Sequence, residues 1–80
     1  MKKLILVLLF VPLISFGQTS EGYFASANEK MKVKDYYGAI ADFTKAIEIG
    51  EPLQVSMFYM NRGLAKFYLK DYSGAIADQN

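Results

Sequence analysis

The sequence predicts an all-α fold, a solenoid of antiparallel helix-turn-helix repeats. Three observations carry that expectation. Asp35-Tyr36-Tyr37-Gly38-Ala39-Ile40-Ala41-Asp42 returns 36 residues later as Asp71-Tyr72-Ser73-Gly74-Ala75-Ile76-Ala77-Asp78, with a single change. A period of roughly 20–50 residues is the signature of stacked repeats, in which each unit needs a neighbour to bury its apolar face. Apolar residues also recur at three- and four-residue steps, the period of a helix. Finally, there is no apolar/polar alternation and no Asn-Gly or Asp-Gly pair to mark strands and hairpins.

The first 17 residues stand apart from the repeat. Met1-Lys2-Lys3 is cationic, Leu4 to Ile14 is apolar apart from Pro12, and Ser15-Phe16-Gly17 sets small residues ahead of Gln18. This is the three-part layout of a secretory signal peptide, cleaved before Gln18. The apolar run is too short for a membrane span, which takes roughly 20 residues, so the membrane is met only through an uncleaved signal if at all. The chain is therefore expected to be exported, periplasmic or extracellular, with 18–80 as the repeat region.

Each repeat reads as two helices. The first runs from Ser20, read as its N-cap, to Lys32. Lys34-Asp35 makes the turn, and Asp35 caps a second helix that reaches Ile49. Its stripe is Ala39, Ile40, Phe43, Ala46 and Ile47, with Asp42, Lys45 and Glu48 on the other side. Gly50 ends it and Glu51-Pro52 opens the next, since proline is tolerated in a first helical turn. The third helix is expected over Leu53 to Leu69, and Asp71 caps a fourth that is still running at Asn80. Repeat one thus covers about 20–53, and repeat two, about 56–80, is incomplete.

Composition narrows the chemistry. Of the chain's residues 52% are hydrophobic, but the signal segment holds a disproportionate share, and the remainder is close to the ordinary globular fraction. So small a domain has little core. There is no Cys and no His, so disulfides, thiolate metal sites and the commonest general base are all absent. Without Lys2 and Lys3 the net charge falls from +1 to −1, leaving no electrostatic footprint for nucleic acid. The cluster Lys30, Lys32 and Lys34 is flanked by Glu29 and Asp35 and reads as a solvated helix end. Glu48 and Glu51 read likewise, and Asp42 and Asp78 as repeat equivalents on exposed faces. No phosphate-cradling loop, nucleophile elbow or metal cluster is present, so no enzyme activity, cofactor or metal is expected.

The repeated residues resemble those of the tetratricopeptide repeat (TPR) family. Tyr23 and Tyr59 match the early aromatic of the family pattern, Ala27 and Gly63 the small residue at the helix crossing, and Ala39 and Ala75 the alanine packed on it. Asp35-Tyr36 and Asp71-Tyr72 match the inner turn, Phe43 and Ala46 the second helix, and Pro52 the repeat boundary. The period is two residues longer than the family's usual 34, with the excess at the junction, and Gln79 stands where Phe43 would recur.

The resemblance implies a non-catalytic interaction scaffold whose groove is lined by the first helix of each repeat and grips an extended peptide or a partner helix. Carrying the groove places across gives Glu21, Phe24, Asn28, Met31 and Lys32 from repeat one. Repeat two supplies Met57, Met60, Leu64, Phe67 and Tyr68. Met with aromatics suits an adaptable apolar contact. Asn28 and Asn61 match two asparagines of the clamp with which some members hold a C-terminal carboxylate, but Phe24 replaces its first lysine. Tyr36, Tyr72, Phe43, Ile40 and Ile47 are expected to be structural. Two other readings remain open at the level of sequence: the N-terminal region of a larger exported enzyme or sensor, and self-association through an open apolar face.

Overall fold

A computed structural model describes residues 19–79; the segment read as a signal peptide lies outside them. The described chain is all-helical: α1 (Ser20–Lys32), α2 (Tyr36–Ile49), α3 (Pro52–Tyr68) and α4 (Tyr72–Gln79). Packing runs mainly between consecutive helices, and each pair is antiparallel, because partner numbers fall along one helix as they rise along the other. Ser26 meets Asp42 and Phe24 meets Phe43 across α1 and α2. Tyr36 meets Tyr68, and Thr44 meets Arg62, across α2 and α3. Arg62 meets Asp78, and Phe67 meets Tyr72, across α3 and α4.

The helix ends follow from local chemistry, with small displacements from the sequence reading. Thr19, not Ser20, is the N-cap of α1: its hydroxyl accepts the Gly22 amide at 2.9 Å. Ser20 is instead buried, and its hydroxyl reaches Gln54 of α3. Asp35 and Asp71 cap α2 and α4 by accepting the Gly38 and Gly74 amides at 3.0 and 3.1 Å. Proline opens α3, which starts and stops one residue earlier than expected. Its N-terminus is fastened by Gln54, whose oxygen accepts the Glu51 amide at 3.3 Å. Gly50 ends α2 for lack of room rather than for conformation: its backbone is extended, and a Cβ there would lie 2.8 Å from the Phe58 ring.

Both inner turns close identically. Asp35 N–H donates to Lys30 O and Lys34 N–H to Met31 O; Asp71 and Lys70 repeat the pattern onto Lys66 and Phe67. This double bond pattern absorbs the last carbonyls of the helix and requires a left-handed residue at the turn. Lys34 and Lys70 take it, at φ 64° and 65°. Lys70→Gly is therefore expected to stabilise the chain by about 0.5–1 kcal/mol, because a side chain disfavours this region by ~1–2 kcal/mol and glycine returns part of that as unfolded-state entropy. Thermal melts of the two proteins check it.

The core is small. Ala27, Ala39, Phe43, Ala46, Phe58, Ala65 and Ala75 are the buried hydrophobics among the described residues. Ile40 and Ile47 of the expected stripe, with Tyr23 and Tyr36, are half-buried, while Tyr59 and Tyr72 are exposed. Phe24 sets its ring 5.9 Å from Phe43 and 5.1 Å from Phe58, so one aromatic from each of α1, α2 and α3 meets at a single point. The alanines let backbones approach closely, and Gly63 does so on α3: a Cβ there would sit 3.1 Å from both Ala75 O and Asp78 Cβ. Gly63→Leu is expected to lower stability by roughly 1–3 kcal/mol through overpacking. An unchanged melt would refute this crossing.

Candidate functional site

The third helix divides its residues between two environments. One set, Phe58, Gly63 and Ala65, is buried, with Phe58 against α1 and Gly63 against α4. The other, Met57, Met60, Leu64, Phe67 and Tyr68, turns outward, each between 41% and 57% exposed. Steps of three, four, three and one place them along one face. Tyr68 stacks on Tyr36 with centroids 5.1 Å apart and planes at 15°, and Phe67 meets Tyr72 edge-on at 5.6 Å. These aromatics are thus half-anchored and half-open. Asn61 is fastened to its own helix, donating through Nδ2 to Met57 O at 2.9 Å.

The first helix does not continue this face. Phe24 and Met31, placed in the groove by sequence, pack against the Ala27–Ala39–Phe43 core instead. Phe24 was drawn inward because α3 carries Phe58 to it, a long-range contact that helical spacing cannot reveal. Asn28 is half-buried. Lys32 pairs with Glu29 at 2.9 Å. Glu21 accepts from Gln54 Nε2 at 2.9 Å, and that hydrogen bond holds its carboxyl below the usual range. The open apolar surface is therefore built on α3 and α4, with Leu64 and Phe67 facing Tyr72 and Ile76 across a groove of about 530 Å³. Met60 lines a second hollow between the same two helices, beside Ser56, Tyr59, Ala77 and Gln79.

Asp42 and Asp78 correct the sequence reading most clearly. Neither sits on a solvated face. Asp42 accepts from Ser26 Oγ at 2.6 Å and from Lys30 Nζ at 2.9 Å. Asp78, only 4% exposed at its side chain, receives both Arg62 Nε and Nη2 at 2.9 Å and Lys66 Nζ at 3.1 Å. Arg62 also donates to Thr44 at 3.1 Å and lies over the Tyr59 ring at 5.0 Å, tying α2, α3 and α4 together. The signal was present in the sequence: Lys30 and Lys66 are repeat equivalents, as are Asp42 and Asp78, and each Lys precedes its Asp by the interval that separates the crossing residues Ala27 and Ala39. Lysine slants toward the N-terminus of its own helix, which brings its ammonium level with the aspartate of the antiparallel partner.

The two clusters are structural in character. Burial pushes the Asp78 carboxyl up, but hydrogen bonds from Arg62 and Lys66 outweigh it and hold the group below its ordinary value; the same bond to Asp78 raises Arg62. Two cations thus share one carboxylate, whose oxygens are occupied by hydrogen bonds. Among the described residues, no group of three His, Cys, Asp or Glu side chains gathers as a metal would require, and no helix is long and apolar enough to cross a membrane. No protein-family model, curated protein or solved structure matches this chain.

Proposed function

We propose that this chain is an exported, TPR-type interaction scaffold that holds a peptide or helix of a partner protein against the outward face of α3. The observation that carries the reading is the run of five half-open apolar residues, Met57, Met60, Leu64, Phe67 and Tyr68, on one face of one helix. Contiguous apolar surface on a small chain marks an interaction site, and isolated exposed side chains do not. The repeat of helix pairs, with its recurring Ala or Gly crossing and Lys–Asp link, supports a solenoid built by stacking such pairs. The leader-like segment at 1–17 supports export.

In this reading the aromatics give the partner a rigid contact, while Met57 and Met60 adapt to its shape. The Asp78 cluster and the aromatic meeting point hold this helix in place, while the Lys30–Asp42 link joins α1 to α2. The test is affinity capture from the exported fraction with wild type and with Met57→Glu/Met60→Glu. The double variant is expected to lose the partner while keeping its helical circular dichroism, because both side chains lie outside the core. Undiminished capture by a folded double variant would sink the proposal.

A further inference from the structure

The groove between α3 and α4 has an internal counterpart that is already covered by a helix. Its walls include Gly63, Leu64, Phe67, Tyr72, Ile76 and Gln79. The same positions one repeat earlier are Ala27, Asn28, Met31, Tyr36, Ile40 and Phe43, all buried or half-buried. What lies over that earlier pair is α3. Phe58 enters against Phe24, Ala65 is fully buried, and Tyr68 stacks on Tyr36. Tyr72, Ala75 and Ile76 preserve Tyr36, Ala39 and Ile40 without change. The open groove thus prolongs, by one repeat, an interface already formed inside the molecule.

We propose that the α3–α4 groove binds an amphipathic helix of a partner protein that presents the pattern of α3: an aromatic, a small residue seven positions on, and a second aromatic three further. The small residue permits close approach along Gly63 and Ala75, and the second aromatic stacks on Tyr72 as Tyr68 does on Tyr36. At the first anchor the site differs, with Met60 and Gln79 in place of Phe24 and Phe43. An amide there favours Tyr or Trp over Phe, since their O–H or N–H has an acceptor to meet.

A second copy of the chain fits poorly. The groove is concave, so the same face of another copy is not its complement. The repeat equivalent of α3 is α1, which has Gly22, Glu29 and Lys32 where α3 has Phe58, Ala65 and Tyr68. Docking it would bury an unmatched carboxylate, which is strongly disfavoured.

The proposal goes beyond the outward face of α3, and the two separate by residue: Tyr72 and Ile76 belong to the groove alone, Met57 to the helix face alone. The probe is a labelled synthetic peptide of residues 52–69, titrated against the full chain. Saturable binding is expected, weakened about tenfold or more by Ile76→Glu in the protein or by Ala65→Glu in the peptide, as for a central interface residue. Met57→Glu in the protein is expected to leave the affinity for this peptide unchanged, since Met57 does not line the groove. Should Ile76→Glu fail to fold, Ile76→Ala is read at the same point and is expected to weaken binding in the same direction. Absence of binding, or equal binding by the folded Ile76 variant, overturns the proposal. So does a loss on Met57→Glu, which would place the peptide on the face of α3, or a concentration-dependent dimer abolished by Ile76→Glu, which would make the occupant a second copy. Failure of the peptide with continued Met57/Met60-dependent partner capture would remove this site and leave the proposed function intact.

Discussion

Phe58→Ala is expected to abolish the cooperative thermal transition of the described domain. Phe58 is one of two large side chains fully removed from water; the other buried hydrophobics are all alanine. Its ring touches Phe24 of α1 and fills the space that Gly50 leaves at the end of α2. Truncation of a buried phenylalanine costs about 3–5 kcal/mol, from lost transfer energy and the cavity left behind. A domain this small holds only ~3–5 kcal/mol from its core, so the loss consumes most of the margin. α3 would then be held to α1 and α2 by the Arg62–Thr44 and Gln54 hydrogen bonds and the Tyr36–Tyr68 stack, all of them part-buried or exposed and too weak to replace the core. Circular dichroism during heating reads the outcome directly. A sharp transition within a few degrees of wild type would show that the three-ring meeting point does not hold the helices together.

Asp78→Ala is expected to be the second most damaging substitution, at about 2–3 kcal/mol. Removing one member of a buried ion pair strands its partners, which costs ~3–5 kcal/mol when the pair is fully enclosed. Here Arg62 and Lys66 are 17% and 21% exposed, so water recovers part of the penalty. Asp42→Ala should cost less, since its partner Lys30 is 39% exposed. The order Asp78 above Asp42 is the informative result; a reversed order would contradict the burial difference between the clusters.

The same cluster sets a pH dependence. The Asp78 carboxyl is held below its ordinary 3.8 in the folded chain. A lowered carboxyl favours the folded state wherever the unfolded chain would already be ionised, and that gain is lost as pH falls through the folded value. Melting temperature is therefore expected to decline on acidification below about pH 4, the range in which free aspartate protonates. In Asp78→Asn this decline should be shallower. Equal acid limbs in both proteins would show that other carboxylates govern it.

Much of the architecture was legible in the residues. Asp35 and Asp71 identify themselves as caps by standing ahead of a helical apolar period, and Pro52 as an opener because it lacks an amide that a first turn leaves unused. Ala27, Ala39 and Gly63 announce a close crossing by size. The displacement of the α1 cap to Thr19 is of another kind. Thr19 and Ser20 are chemically equal candidates, and Ser20 was removed from the role by Gln54, a residue 34 positions away.

The candidate site shows the same division more sharply. Helical spacing placed Met57, Met60, Leu64, Phe67 and Tyr68 on one face, and they share it, because that is a property of a single helix. It also placed Phe24 and Met31 on an open groove, and there the docking of α3 overruled it. Local pattern reports which side chains lie together on a helix, but not which side meets a neighbour. The aspartates mark the same boundary. Their repetition was visible, yet their burial and partners depend on two antiparallel helices bringing lysine and carboxylate within 3.1 Å. Taken alone, then, the sequence determined the helices and the ends set by Asp35, Pro52 and Asp71, which follow from local backbone chemistry, and it displayed the repeat with its small residues. Tertiary structure alone decided which apolar faces close and which charges pair, because burial is a property of two surfaces and neither carries a record of the other.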